Sequence, residues 1–287
     1  AEWSAGLLVR VPARTVLRGP LRVRVPANAT TTAPRLLVVL GEGAEVSLVE
    51  EHMGGRTGSR VLAVSEIFVE DGAQLRHVVH QGWEAGVHGH LTHRTVLGRD
   101  ARALTVVSSL GGKLQKADIG TLLGGEGAHS EIVGMALGEK RQHLDLHTEH
   151  QHHAGRTTSD MDIRVALGGK AHSAYTGLIR IESEAEDCEA FQKNRNLLLS
   201  KKARAETIPE LEILNKEVTC SHGATASPVD EAQLFYLQSR GIDRDEAARL
   251  VVRGFFEPVL DRIPSPLRDR VADAVDRRIA RLRGATR

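Results

Sequence analysis

The apolar positions of the chain fall in short alternating runs that stop at a common signal. Leu97-Gly98, Leu110-Gly111, Leu123-Gly124, Leu137-Gly138 and Leu167-Gly168 each close an aliphatic run, at intervals of 13, 13, 14 and 30 residues. A short polar corner follows, and then a new run, as in 101–110, 114–123, 128–137 and 171–181. Gly43-Ala44, Gly72-Ala73 and Gly127-Ala128 mark the same corner. Inside a run the period is two. Leu144 and Leu146 share one face of an extended strand, and His143, Asp145, His147 and Glu149 share the other. Units of about 13 residues leave no room for a crossover helix. They predict strands and corners stacked into a parallel β-solenoid, with one aliphatic face turned inward and Leu97, Leu110, Leu123 and Leu137 in one inward column. An antiparallel sandwich of short strands is the competing architecture. The recurring glycine corners and the lack of Asn-Gly hairpin signals favour the solenoid.

The pattern changes after Pro228. Residues 230–240 read as a helix ended by Gly241. Asp243 with Glu246 forms a capping box for a second helix, whose apolar face carries Ala247, Val251, Phe255 and Val259, with Pro258 near its end. Ser265-Pro266 opens a third, with a stripe of Leu267, Val271, Val275, Ile279 and Leu282. The predicted organisation is a mainly β chain: a parallel β-helix core over residues 1–226 and a small α-helical C-terminal unit over 227–287.

Composition narrows the function. With 41% hydrophobic and 26% charged residues among 287, the chain is globular and long enough to bury a core without disulfides. Lys and Arg number 38 against 37 Asp and Glu, so no overall basic field recommends nucleic acid as a partner. The arginines of the last helices interleave with Asp261, Asp269, Asp273 and Asp276, which reads as a solvated, mutually paired face. No apolar run suits a membrane span. Two cysteines, Cys188 and Cys220, make no disulfide framework and suit a reducing compartment, the cytoplasm. The chain opens Ala1-Glu2-Trp3, which reads as a fragment or a processed product. Aromatics are only 3%, so the core is expected to be aliphatic.

Chemistry-bearing motifs are sparse. There is no phosphate-binding Gly-Lys-Ser/Thr loop, no nucleophile elbow and no His-Glu-x-x-His, so a self-contained ATPase, serine hydrolase or zinc protease is excluded. His88, His90 and His93 sit in one strand-like run; His143, His147, His150, His152 and His153 crowd another. An outward ladder of imidazoles and carboxylates suits metal, but wet polar positions explain it as well. Cys220 and His222, at i and i+2, emerge on one strand face and pair a thiolate with an imidazole. Two ligands do not close a site.

The stretches Gln192-Lys193-Asn194-Arg195-Asn196-Leu197-Leu198-Leu199-Ser200, Pro209-Glu210-Leu211-Glu212-Ile213, Cys220-Ser221-His222-Gly223-Ala224-Thr225 and Leu234-Phe235-Tyr236-Leu237 closely resemble the SufB/SufD family of iron–sulfur cluster assembly proteins. Cys-Ser-His-Gly-Ala-Thr resembles the SufD branch, since SufB is expected to carry His-Glu where this chain has His222-Gly223. The resemblance implies a right-handed parallel β-helix and a scaffold subunit without catalytic residues. It implies a SufB-like paralogue, or a second copy of the chain, as partner to the β-helix, and a SufC-like ABC-type ATPase docked on the C-terminal helices. Phe235, Tyr236, Phe255 and Phe256 are the expected contacts to that ATPase. His222 and Cys220 become the candidate ligands for a transient iron–sulfur cluster at the subunit interface. The family's helical N-terminal region has no counterpart here. A carbohydrate-active β-helix lyase or hydrolase is the alternative, weakened by the scarcity of aromatic platforms along the solenoid.

Overall fold

A computed structural model describes the backbone of residues 3–284 and side chains to residue 281. Seventeen strands precede three helices. The strands are β1 (Ala5–Val11), β2 (Leu21–Pro26), β3 (Thr31–Thr32), β4 (Pro34–Leu40), β5 (Glu45–Gly54), β6 (Arg60–Val69), β7 (Gln74–Trp83), β8 (His88–Leu97), β9 (Arg102–Ser109), β10 (Leu114–Leu123), β11 (His129–Gly138), β12 (His143–His152), β13 (Thr158–Leu167), β14 (His172–Ile181), β15 (Cys188–Leu198), β16 (Arg204–Ile213) and β17 (Val218–Pro228). The helices are α1 (Glu231–Ser239), α2 (Arg244–Leu260) and α3 (Leu267–Gly284). Among the described residues the strands pair in parallel. One sheet runs β1-β4-β6-β8-β10-β12-β14-β16, with β3 beside β6; the other runs β17-β15-β13-β11-β9-β7-β5-β2. The chain therefore crosses from one sheet to the other at each corner, making a solenoid of about eight coils.

The repeat seen in the sequence is half a coil. Strands β6, β8, β10, β12 and β14 begin at residues 60, 88, 114, 143 and 172, so a full coil takes 26–29 residues. Each unit stacks on the second unit before it, not on its neighbour in sequence. The single inward column of leucines is corrected accordingly. Leu97 and Leu123 are Cα partners on β8 and β10 and lie inside the solenoid. Leu137 on β11 and Leu110, just past the end of β9, lie on the opposite sheet's side and face outward, under the helices.

The corners explain the glycines. At Gly43 and Gly72 φ is +64° and +66°, a left-handed turn residue followed by a fully buried alanine, Ala44 or Ala73. Gly111 has another cause: a Cβ there would run into the backbone of Trp83 on the coil beneath.

The interior is not uniformly aliphatic. Apolar clusters occupy it at several points, for example Val38, Leu48, Ile67 and Leu97. Between them stand buried polar side chains. Glu50 accepts hydrogen bonds from His52 Nε2 at 2.7 Å, His77 Nε2 at 3.1 Å and Ser65 Oγ at 2.9 Å. His93, His150 and His152 are also buried.

The outer face of the β5–β17 sheet is apolar where the helices cover it. Val78, Val106, Val133 and Met135 pack against Val252, Phe256, Val271 and Val275. Asp230 caps α1 through Ala232 N, and Asp243 caps α2 through Asp245 N and Glu246 N. The buried face of α2 is Ala247, Val252, Phe256, Val259 and Leu260; Val251 and Phe255, expected in it, are only half-buried. Leu267, Val271, Val275 and Ile279 of α3 are buried as the stripe predicts, and Leu282 lies outside the described side chains. The arginines here do more than pair among themselves. Arg270 reaches the buried Glu51 at 2.7 Å, Arg262 reaches Glu131 at 3.0 Å, and Arg278 and Arg281 reach Glu139 at 3.5 and 3.2 Å. They clamp the helices to the solenoid. Among the described residues no helix is long and apolar enough to cross a membrane.

Candidate functional site at the open end of the solenoid

Among the described residues, nothing is stacked on the last coil. Strand β17 pairs only with β15, and β16 only with β14. In a parallel ladder Cα partners share a face. Cys220 is the partner of Ala190 and His222 of Gln192, both buried in the interior, so Cys220 and His222 are on the inward face of an edge strand. With no coil above, Cys220 is half-buried and His222 exposed. On β16 the inward positions Leu211 and Ile213 are likewise left 37% and 38% exposed. The open end thus presents an uncovered core, with one thiol and one imidazole at its rim.

Burial pushes the Cys220 thiol up, and the neighbouring Cys188 adds to this, against a lowering backbone hydrogen bond at Ala190. Near neutral pH it is a thiol that a bound metal must deprotonate. Cys188 is buried, with Sγ 3.1 Å from Thr157 Oγ1. It is a structural residue one step below the rim.

Beneath the rim lies a polar network that the motif reading did not resolve. Asn196 Nδ2 donates to Asn194 Oδ1 at 2.6 Å, to Thr207 Oγ1 at 3.2 Å and to the Thr225 carbonyl at 3.1 Å. Asn194 Nδ2 donates to the Ile163 carbonyl at 3.1 Å. Asn194 and Asn196, alternate residues of Gln192-x-Asn194-x-Asn196, therefore tie β13, β16 and β17 together from inside. Their spacing of two was the available signal. The Gln192 side chain fills the space over Gly177, where a Cβ would collide with it.

The aromatic residues of the helical unit separate into two groups. Phe235 and Tyr236 are 73% and 58% exposed on α1, and Tyr236 with Leu237, Leu250 and Val251 lines a shallow cleft. Phe255 is half-buried with Arg164 over its ring, and Phe256 is fully buried. Phe256 cannot meet a partner; its ring belongs to the helix–sheet core.

The histidine ladder also divides. His88, His90, His143 and His147 face outward, whereas His93, His150 and His152 face inward. Among the described residues no group of three or more His, Cys, Asp or Glu is arranged to hold a metal ion.

Comparison with known proteins adds the family. Residues 23–255 match the family described as SUF system FeS cluster assembly, SufBD core domain. The chain is 33% identical to the iron–sulfur cluster assembly protein SufB of Bacillus subtilis, across 92% of this chain and 58% of that protein. It is 31% identical to an iron–sulfur cluster assembly SufBD family protein of Mycobacterium tuberculosis, across 96% of this chain and 72% of the relative. A SufBD family protein of Staphylococcus epidermidis is 31% identical, across 92% and 58%. The chain thus spans little more than half the length of two of these relatives.

Proposed function

The chain belongs to the SufBD family of iron–sulfur cluster assembly proteins, and from that premise we propose that it is a non-catalytic, SufD-type scaffold subunit on which a cluster is built at the open end of the solenoid. The observation that carries the reading is the pairing of Cys220 and His222 on the inward face of an edge strand, beside uncovered core residues. A second β-helix chain covering that end would bury Leu211 and Ile213 and complete the ligand set. SufB-like chemistry is the natural complement, because His222-Gly223 stands here where SufB is expected to carry His-Glu. Family membership replaces the carbohydrate-active alternative.

Iron and sulfide are cargo on this reading. His222, exposed and imidazole-bearing, offers a neutral nitrogen to iron. Cys220 would join as a thiolate, its proton released to solvent as the metal binds, a step its raised pKa disfavours. One imidazole and one thiolate leave the shell short of four ligands, so the chain alone does not retain a cluster. ATP hydrolysis comes from a SufC-like ABC-type ATPase docked on α1 through Phe235 and Tyr236. Two free cysteines suit a reducing cytoplasm.

Two measurements test this. In a complex reconstituted with ferrous iron and sulfide, His222→Ala lowers the yield of visible-absorbing cluster while the β-rich circular dichroism is retained; an unchanged yield makes His222 an ordinary surface residue. Phe235→Ala with Tyr236→Ala removes ATPase co-purification without loss of fold, and a co-purifying ATPase at wild-type stoichiometry refutes the docking assignment.

A further inference from the structure

Two outward-facing histidines on the other sheet meet more closely than the ladder requires. His143 on β12 and His172 on β14 are Cα partners, with ring centroids 4.8 Å apart. Their Nδ1 atoms are 3.1 Å apart. His172 Nε2 is 3.0 Å from Glu206 Oε1, on β16. The carboxylate accepts, so His172 carries its proton on Nε2 and leaves Nδ1 bare. That bare nitrogen accepts from Nδ1–H of His143.

We propose that this pair is a binding site for a first-row divalent metal ion, with both Nδ1 atoms as ligands and Glu206 as the carboxylate that orients His172. Zinc binds imidazole nitrogen at about 2.0–2.1 Å in tetrahedral geometry, which sets two such nitrogens roughly 3.3 Å apart. The observed 3.1 Å is within a small ring rotation of that spacing. A ligating imidazole whose other nitrogen donates to a carboxylate is the usual arrangement in metal sites, because it fixes the tautomer and raises ligand basicity. The backbone ladder holds the two rings in register before any metal arrives. Both are only partly buried, so an ion reaches them from solvent. On binding, the His143 proton moves from Nδ1 to Nε2 by exchange with water and the metal takes its place. Water completes the shell. Arg204, the Cα partner of His172 on β16, places a cation near the site, and Glu206 offsets it.

The site is separate from the rim, on the outer face of the opposite sheet, and the test keeps the two apart. In a Cys220→Ser, His222→Ala background, calorimetric titration with Zn²⁺ is expected to show one ion per chain. Adding His143→Ala or His172→Ala lowers the affinity at least tenfold. Glu206→Gln lowers it by about 10–100-fold, the usual range for such an orienting partner. His147→Ala, four residues along the same face and bonded to Asp145, leaves it unchanged. In the metal-free protein, long-range ¹H–¹⁵N NMR should find His172 protonated on Nε2, and zinc should shift both Nδ1 resonances. No stoichiometric zinc, or binding indifferent to His143→Ala and His172→Ala, overturns the proposal and leaves the reading of His222 untouched.

Discussion

A buried histidine that stays neutral is a liability in acid, and His80, His93, His150 and His152 are of this kind. Burial pushes His80 down to about 4, His93 to about 3 and His152 to about 4, and it pushes His150 well below the usual imidazole range. In the unfolded chain each takes up a proton near pH 6.5. Between there and about pH 4 the unfolded state binds more protons than the folded state, so stability falls as pH falls. Glu50 acts lower down. Burial alone would raise its pKa, but the charges and hydrogen bonds of His52 and His77 more than reverse this, and its contribution is lost below the unfolded carboxylate value. The urea midpoint should therefore drop steeply from pH 7 to pH 4, with no plateau between; a flat profile over that range contradicts these burials. The sequence contained part of this. His150 and His152 share parity with the inward Leu144 and Leu146, and His93 shares it with Leu91. Grouping the histidines by density obscured what period two separates. The Glu50–His52 pair, two residues apart on β5, is local, but that His77 would be a second partner was not legible, because it lies on the next coil.

At the scale of the element, strands and corners were readable because each is local: a run of period two, then a left-handed residue, then an alanine. What stacks on what was not local. A half-coil of about 13 residues and a whole coil of 26–29 leave the same mark of Leu-Gly endings in the sequence. Only the crossing between sheets distinguishes them. The distinction has a measurable consequence. Leu123, inside the solenoid, and Leu137, under the helices, are both fully buried. Each cut to alanine should cost about 2–5 kcal/mol in chemical unfolding. Gly111→Ala should be as damaging although it adds one carbon, because that carbon meets the Trp83 backbone; a cost under about 1 kcal/mol would mean the two coils are not in that contact. The helices are not detachable either. Removing them would strip the cover from Val78, Val106, Val133 and Met135, so deletion of the helical unit confounds loss of a partner site with loss of a core. Point changes at exposed Phe235 and Tyr236 avoid that.

For the molecule as a whole, a solenoid of parallel strands has two ends, and an end is a core cut open. At the C-terminal end the cut exposes Leu211, Ile213 and Leu214 together with the unpaired edges of β16 and β17. Exposed edges and apolar side chains of this kind draw another chain unless covered. The same surface holds His222, so covering the end and completing the ligand set are one event on the proposed function. Converting Leu211 and Ile213 to lysine places two charges where a partner must exclude water, and both positions are exposed enough to accept lysine without repacking the interior. The double variant should keep its unfolding midpoint within a small shift of wild type, fail to associate with a SufB-like chain or with itself in light scattering, and lose cluster yield in proportion. Association at wild-type strength would move the interface to another surface, and His222 would then have to act without a second chain across it.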